Sequence, residues 1–411
     1  MNLRTIPLLA WIGMAIVLGI VLGPFVPEWL GNVSMTYNSI FSGLLSFVVP
    51  LIIFGLVAPA IAELGRGAGK WLGLTGGIAY AATILAGLLA YFVSRWVLTP
   101  ALQGTQLSAL GNGEGSGLRP YFSVVSSPTG GATEIVLSPA IDVMSALIMA
   151  IIIGIGLTAI PNSVMLKVAL EFRTIIEGVI RTIIVPALPI FIFGIFLELS
   201  RSGEAVTVLS TFLIVVITSF ALTLVVLITQ YVVAGAIGKV NPFVALWRMK
   251  DAYMTALGTS SSAATIPVTL ASAKKNGVSD SVAGFVVPLC AAIHLSGSMV
   301  KITCFSFAIL LLSGGDVSLT AYLPFMLMLG VMMIAAPGVP GGAIAAAAGL
   351  LVQMLGFGEL EVGLMFATYI ALDSFGTATN VTGDGAIAII MNKLTKGKLN
   401  AKSDDTAPVA S

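Results

Sequence analysis

The chain has 411 residues, of which 57% are hydrophobic and only 9% are Asp, Glu, Lys or Arg. Ordinary soluble domains carry roughly 25% charged residues, so the composition indicates a polytopic membrane protein and excludes a soluble globular class. A net charge of +1, with no basic tract, excludes a protein that binds nucleic acid.

Long apolar runs define the predicted architecture, because each is long enough to cross about 30 Å of hydrocarbon. They lie at about 6–26, 39–62, 71–98, 138–160, 175–199, 205–237, 281–313 and 362–392. The first run follows Arg4 and has no clear cleavage site of small residues, so we interpret it as a transmembrane helix and not as a removed signal peptide. The sequence therefore predicts an all-α polytopic membrane protein with eight transmembrane helices.

The orientation follows from the Lys and Arg residues in the short connections. A cytoplasmic N-terminus leaves Arg95, Arg119 and Arg201 outside and Lys301 within a span. It places the other fifteen of the nineteen inside: Arg4, Arg66, Lys70, Lys167, Arg173, Arg181, Lys239, Arg248, Lys250, Lys274, Lys275, Lys393, Lys396, Lys398 and Lys402. We therefore expect both termini in the cytoplasm, with residues 399–411 as a tail. The polar, Gly-rich segment 101–135 is expected to be a long, mobile extracellular loop.

Two further apolar segments, at about 242–273 and 321–355, are each broken in the middle. Gly258–Pro267 interrupts the first and Ala336–Gly342 the second, and the arms are shorter than the ~20 residues that a spanning helix needs. Each segment therefore predicts a re-entrant helical hairpin. Opened backbone at membrane depth must line a cavity or lie buried in protein, so we expect both tips at one site near the middle of the membrane. The alternative for the first segment is a single helix in which Ser260 to Ser262 bond back to their own backbone.

A polar stripe lies in the last apolar run. At about 100° per residue, Asp373, Thr377, Asn380 and Asp384 fall within about 60° of one another on a helix. Each charge at membrane depth costs at least ~2.5 to 3.5 kcal/mol, so two retained carboxylates indicate a functional site. The alternative is a helix buried in a polar interface.

Nothing in the sequence predicts an enzyme. The single histidine, His294, has no Gly-x-Ser-x-Gly or His-Glu-x-x-His motif beside it, so we expect no catalytic residue and no cofactor. Cys290 and Cys304 would lie about 21 Å apart on one helix, which is too far for a disulfide. We expect both cysteines to be buried core residues.

Three motifs occur in order along the second half of the chain: Gly258–Val268, Gly338–Gly341 and Asn380–Asp384. Together they resemble the dicarboxylate/amino acid:cation symporter family, the glutamate transporter homologues. The resemblance is close from about 189 to 398 and rests on helix count and spacing before that. It implies an elevator-type transporter in the cytoplasmic (inner) membrane, surrounded by lipid, that assembles as a homotrimer. It also implies a small amino acid as substrate, a coupling cation (Na+ or H+) and an anion conductance.

The resemblance also implies two parts that move relative to each other. Residues 1–70 and 136–204 would form the scaffold and trimerisation domain. Residues 71–100 and 205–398, with both hairpins, would form the transport domain, and the second hairpin would be the external gate.

Site residues are carried over from the same resemblance. Asp373 matches the carboxylate that binds a substrate amino group, Asn380 matches the amide that binds its α-carboxylate, and Thr377 lies between them. Ser261 and Ser262, at the tip of the first hairpin, would close over the carboxylate with backbone N–H groups.

The resemblance also implies site residues in the second hairpin and at a cation site. The backbone of Val339 and Gly341 would close over the substrate from the other side. Asp384 matches a carboxylate that coordinates sodium together with backbone carbonyls, a role that suits hard oxygen ligands. Asn380 and His294 are the other candidate cation ligands.

One departure from the family concerns the substrate. Family members that carry acidic substrates place an Arg where this chain has Gly376, so a second substrate carboxylate would lack a cationic partner. We therefore expect a small neutral amino acid such as serine, threonine or alanine. Lys301 leaves an alternative open: it restores a positive charge for an acidic amino acid or dicarboxylate, or it balances Asp384.

A second departure concerns the cation. In the family's Asn-Met-Asp-Gly-Thr motif this chain has His294 and Ser296 in place of the amide and the carboxylate, so we expect fewer sodium ions per cycle. Two interpretations of His294 remain open. It binds a proton where relatives bind a metal ion, or it is a neutral, hydrogen-bonded residue while Asp384 keeps one sodium site.

Overall fold

The computed structural model describes residues 8–64, 70–102, 104–105, 117–126, 133–160, 163–337 and 340–396. These residues are mostly α-helical, which confirms the predicted class, and helices lie in every apolar run found in the sequence. In the first half, the described elements are α1 (Leu8–Leu22), α2 (Glu28–Leu64), α3 (Lys70–Ala101), β1 (Ser123–Val125), β2 (Glu134–Val136), α4 (Val143–Ala159), α5 (Val164–Val179), a π-helical turn (Ile180–Ile184) and α6 (Val185–Arg201).

The second half contains helices alone among its described elements. They are α7 (Ala205–Gly238), α8 (Pro242–Arg248), α9 (Lys250–Thr259), α10 (Ser262–Lys275), α11 (Asp280–Ile293), α12 (Ser296–Leu312), α13 (Leu319–Ala335), α14 (Gly342–Leu355), α15 (Glu359–Ala371) and α16 (Asp373–Leu394). The segment at 242–273 thus consists of three helices, α8, α9 and α10, with its predicted break between α9 and α10. The segment at 321–355 consists of two helices, α13 and α14.

Several helical segments are long and apolar enough to cross a membrane. Within the described ranges there are five of them: Glu28–Glu63, Lys70–Ala101, Val164–Arg201, Ala205–Gly238 and Asp280–Leu312. Shorter apolar helices are α1, α4, α13 and α14. The number of helices that cross the membrane stays a prediction.

Polar residues fix where many helices begin. Ser279 and Ser318 accept hydrogen bonds from backbone N–H groups of the first turns of α11 and α13, which is the usual role of an N-cap serine. Asp316 in turn accepts from the backbone N and the hydroxyl of Ser318, at 2.8 and 2.9 Å. These hydrogen bonds hold the pKa of the Asp316 carboxyl below its usual value.

The two last apolar runs are not continuous helices, contrary to the simplest expectation for each. The run at 281–313 is interrupted between α11 and α12, where His294 and Leu295 leave the helical conformation with ψ of 93° and 47°. The run at 362–392 is interrupted at Leu372, between α15 and α16. The polar stripe from Asp373 to Asp384 nevertheless lies on one helix, α16, as predicted.

The predicted external loop at 101–135 is only partly described, and its described part contacts α2. Backbone N–H groups of Arg119, Tyr121 and Val124 donate to side-chain oxygens of α2, at 2.8 to 2.9 Å. The acceptors are Asn32, Thr36 and Ser39. The expectation of a mobile loop stays a prediction, and α2 supplies hydrogen-bond partners for three of its backbone donors.

Buried apolar side chains form one large cluster, a smaller cluster around the second half of α16 and two minor clusters of three buried residues each. The large cluster contains residues from both the predicted scaffold and the predicted transport domain. The smaller cluster joins α16 to α9, α10 and α11. Cys290 and Cys304 are buried free thiols, as expected.

Candidate functional site

A small cavity lies where the first hairpin, the second hairpin and two broken helices meet. Its volume is about 30 Å³. One water needs about 10 to 15 Å³ by this measure, so the cavity as arranged has room for one or two waters and not for an amino acid. Its polar lining residues are Ser260, Ser262, Ser298, Tyr369, Asp373, Thr377 and Asn380.

Asp373 is the first residue of α16 and lies buried at this cavity. Its Oδ2 accepts a hydrogen bond from the backbone N–H of Gly341, at 2.8 Å, so the turn before α14 contacts the carboxylate directly. Its Oδ1 lies 4.0 Å from the Nζ of Lys301. Thr377, one turn later on the same face, donates to the backbone carbonyl of Asp373 at 3.1 Å.

Asn380 joins α16 to the start of α12. Its Oδ1 accepts from the backbone N–H groups of Gly297 and Ser298, at 2.8 and 3.4 Å, and so caps a helix that has no side-chain cap of its own. Its Nδ2 donates to Ser298 Oγ at 3.1 Å. An amide nitrogen carries two hydrogens, so one remains for an acceptor in the cavity.

The tip of the first hairpin brings serines to the cavity, but not in the predicted pair. Ser262 lines the cavity, whereas Ser261 is the N-cap of α10 and accepts from the backbone N–H of Ala264 at 3.3 Å. Ser260, which the sequence analysis did not select as a ligand, lines the cavity and contacts Ser374 through their hydroxyls at 2.7 Å. Its positive φ of 48° turns the chain between the two helices.

Three candidate substrate-binding residues remain: Val339, Gly341 and Gly376. Val339 lies outside the described residues. Gly341 is described, and its N–H faces Asp373. Gly376 does not line the cavity: it packs against Lys301, and a β-carbon at residue 376 would collide with Cε and Nζ of that lysine.

Asp384 and His294 form a buried pair further along α16. The two atoms His294 Nδ1 and Asp384 Oδ1 lie 2.9 Å apart, and both side chains are fully buried. Gln230 Nε2 lies 3.3 Å from His294 Nε2 and donates to Ser296 Oγ at 3.2 Å. Because an amide nitrogen can only donate, this geometry favours the tautomer in which Nδ1 carries the proton and donates to Asp384.

Sequence reasoning missed Gln230, although a signal was present. Gln230 is the single amide side chain in the apolar run 205–237. Such a residue in a membrane helix generally faces protein or water, because lipid offers no partner. Its partner could not be read from the sequence, because α7 and α12 are distant along the chain.

One oxygen of Asp384 remains available for a cation. Asp384 Oδ2 is buried and has no hydrogen-bond partner in the described part of the chain. A carboxylate oxygen of this kind suits sodium, which prefers hard oxygen ligands. Across the described ranges no group of three or more His, Cys, Asp or Glu gathers at one place, so further ligands would be carbonyls, hydroxyls or water. The oxygen of Asn380 faces N–H groups of α12, so its predicted role as a cation ligand has no geometric support here.

Comparisons with known proteins point to one family. The model of the sodium:dicarboxylate symporter family matches residues 8–394. A serine/threonine transporter SstT of Streptococcus agalactiae serotype III (strain NEM316) is 27% identical over 406 residues, which cover 96% of this chain and 98% of that protein. A protein of the same name from Enterococcus faecalis (strain ATCC 700802 / V583) is 28% identical over 399 residues, 93% of this chain and 90% of that protein. An excitatory amino acid transporter of Caenorhabditis elegans is 27% identical over 268 residues, 63% of this chain, and the match spans about half, 52%, of that relative.

Proposed function

The chain belongs to the sodium:dicarboxylate symporter family and is an integral membrane protein, and from that premise we propose that it is a symporter of a small neutral amino acid. The proposal includes the cytoplasmic membrane as its location, cytoplasmic termini, eight spanning helices with two re-entrant hairpins, a homotrimer and an elevator mechanism. The domain boundaries given from the sequence are part of the same proposal. A carrier of this kind binds and releases its substrate unchanged, so no catalytic residue is assigned.

The chemical groups that line the cavity support the substrate assignment. It offers one carboxylate, Asp373, one amide, Asn380, and several hydroxyls, and its lining includes no Lys or Arg within the described ranges. A carboxylate suits an ammonium group, and an amide N–H with helix-end N–H groups suits a carboxylate. These groups complement the zwitterion of an amino acid, and the hydroxyls complement a short polar side chain.

Lys301 does not change this assignment, because its ammonium does not face the cavity. It donates to the backbone carbonyls of Leu372 and Asp373, at 2.8 and 3.3 Å. A second substrate carboxylate would therefore be buried without a cation, which is unfavourable by several kcal/mol, on the order of 3 to 5. Two relatives are named serine/threonine transporters, which supports the neutral class.

A second candidate substrate class is an acidic amino acid or a dicarboxylate. Two observations favour it: the name of the matched family, and the excitatory amino acid transporter among the relatives. It would require the Lys301 side chain to leave its carbonyl partners and turn toward the cavity. An ion channel on the same fold is the remaining alternative, and it would give currents without accumulation of substrate.

The coupling cation is transported cargo, and we propose that Asp384 binds one sodium ion through Oδ2. Oδ1 is held by His294, so the carboxylate is oriented before the ion arrives. The resemblance matches His294 and Ser296 to an amide and a carboxylate in the family's Asn-Met-Asp-Gly-Thr motif, so we propose fewer sodium ions per cycle than in carriers of acidic amino acids. Proton coupling through His294 is an extension of this proposal, and a separate experiment tests it.

Binding calorimetry on the purified full chain tests the substrate class. Serine, threonine, alanine, aspartate, glutamate and succinate are titrated with and without sodium. The proposal expects heat from at least one small neutral amino acid, strengthened by sodium, and weak or no heat from the three anions. Tighter binding of aspartate, glutamate or succinate than of every neutral amino acid would transfer the assignment to the second candidate.

A further inference from the structure

Lys301 is a buried cation in the middle of α12 that the proposed transport chemistry does not use. Its side chain is 1% exposed. The ammonium donates to the carbonyls of Leu372 and Asp373, where α15 ends and α16 begins, and it lies 4.5 Å from the centre of the Tyr369 ring. The Leu372 carbonyl at the end of α15 and the face of an aromatic ring both favour a positive charge.

Gly376 makes this position possible. A β-carbon there would collide with both Cε and Nζ of Lys301. Gly376 is also within α16, where glycine is normally unfavourable relative to alanine. The glycine is therefore explained by the space that the ammonium takes.

The ammonium of Lys301 also lies close to the carboxylate of Asp373. Lys301 Nζ and Asp373 Oδ1 are 4.0 Å apart, and Asp373 is 6% exposed. The cavity beside Asp373, at about 30 Å³, is too small for a substrate ammonium with its amino acid in this arrangement. In this arrangement the Lys301 ammonium and the Gly341 N–H are protein groups that lie beside the Asp373 carboxylate.

A symporter returns across the membrane without its substrate, and that step raises a physical problem. A carboxylate that binds an ammonium would be left buried and unpaired during the return, which is strongly unfavourable. We propose that Lys301 is a fixed counter-charge for Asp373 that allows the site to close and return without substrate. This inference rests on the proposed function, and Lys301 acts through Asp373 as a positioning residue and not as a substrate ligand.

Two kinds of uptake measurement distinguish a counter-charge role of Lys301 from a structural or substrate-binding role. Net uptake into proteoliposomes that contain no amino acid requires the return step, whereas exchange against internal unlabelled amino acid does not. The probe is radiolabelled serine, with the full-length chain reconstituted as wild type, Lys301→Met and Gly376→Ala. Gly376→Ala keeps the positive charge of Lys301 but displaces its ammonium group, because the added β-carbon occupies the same space. Lys250→Met, which removes an exposed lysine beside Trp247, is the matched control.

The expected result is a fall of at least about tenfold in the ratio of net uptake to exchange for Lys301→Met, since one partner of a buried pair is removed. Gly376→Ala should shift the ratio in the same direction, and Lys250→Met should leave it unchanged.

A ratio within about twofold of wild type in both site variants would overturn the inference. So would equal loss of both rates in both variants, which would give Lys301 a structural or substrate-binding role. If wild type takes up neither serine nor another amino acid, the proposed function fails instead, so the two failures are distinguishable.

Discussion

The imidazole of His294 and the carboxylate of Asp384 lie 2.9 Å apart, with both side chains fully buried. This pair links the break between α11 and α12 to the middle of α16. It uses one oxygen of Asp384 and leaves the other without a partner in the described chain. The pair is therefore both a structural contact and one half of a candidate cation site.

Removal of the imidazole should destabilise the protein more than removal of both partners. His294→Ala leaves Asp384 buried without its donor, and breaking a buried pair in this way costs about 3 to 5 kcal/mol. The double variant His294→Ala with Asp384→Ala removes the unpaired charge and should unfold at a higher temperature than His294→Ala alone. Thermal unfolding in detergent measures the unfolding temperatures of the single and double variants. A double variant whose loss equals the sum of the two single losses would contradict the pairing.

The coupling ion can be identified by separate gradients. Proton coupling through His294 predicts substrate accumulation in sodium-free proteoliposomes driven by a pH gradient alone, and loss of that accumulation in His294→Asn. The neutral interpretation of His294 predicts accumulation under a sodium gradient only. No accumulation under the pH gradient, with full accumulation under sodium and in His294→Asn, would refute the proton version.

Gly383 should not tolerate even a methyl group. A β-carbon there would lie 2.5 Å from Gln230 Oε1 and 2.6 Å from His294 Cε1, so Gly383→Ala would push apart the contacts around His294. Overpacking of this kind costs about 1 to 3 kcal/mol. Gly284→Ala is the control, because its β-carbon meets nothing within 4 Å. We expect a lower unfolding temperature and lower uptake for Gly383→Ala only, and equal behaviour of the two variants would contradict the packing.

The sequence was sufficient to predict what depends on composition and local pattern. Apolar runs predicted the helices, and the spacing of Asp373, Thr377, Asn380 and Asp384 predicted one polar face on one helix. That pattern follows from chain geometry alone. The breaks within the runs at 281–313 and 362–392 were not predicted, because leucines such as Leu295 and Leu372 give no compositional signal of a helix interruption.

Contacts between distant segments were the other part that could not be predicted. The sequence left Lys301 with a choice of two carboxylates, and only the fold places its ammonium beside Asp373 and the imidazole of His294 beside Asp384. Likewise, the capping of α12 by Asn380 depends on the approach of two helices that are far apart in sequence.

Topology can be tested by labelling single introduced cysteines in intact cells. The inside bias of Lys and Arg predicts that a cysteine near Gly130 reacts with an impermeant reagent from outside, and that one near Lys398 reacts only after the membrane is opened. Cys290 and Cys304 are buried and serve as an internal background. The reversed pattern would contradict the proposed orientation.

Competition for uptake into proteoliposomes tests the central claim, a symporter of small neutral amino acids, most directly. Labelled serine is driven by a sodium gradient, with unlabelled alanine, threonine, aspartate or glutamate as competitor. Asp373→Asn removes the charge that would bind the ammonium, and Asp316→Asn, in an exposed connection, is the matched control. We predict accumulation of serine, stronger inhibition by alanine or threonine than by aspartate or glutamate, and no accumulation with Asp373→Asn alone. Stronger inhibition by aspartate or glutamate, or full accumulation with Asp373→Asn, would contradict the account.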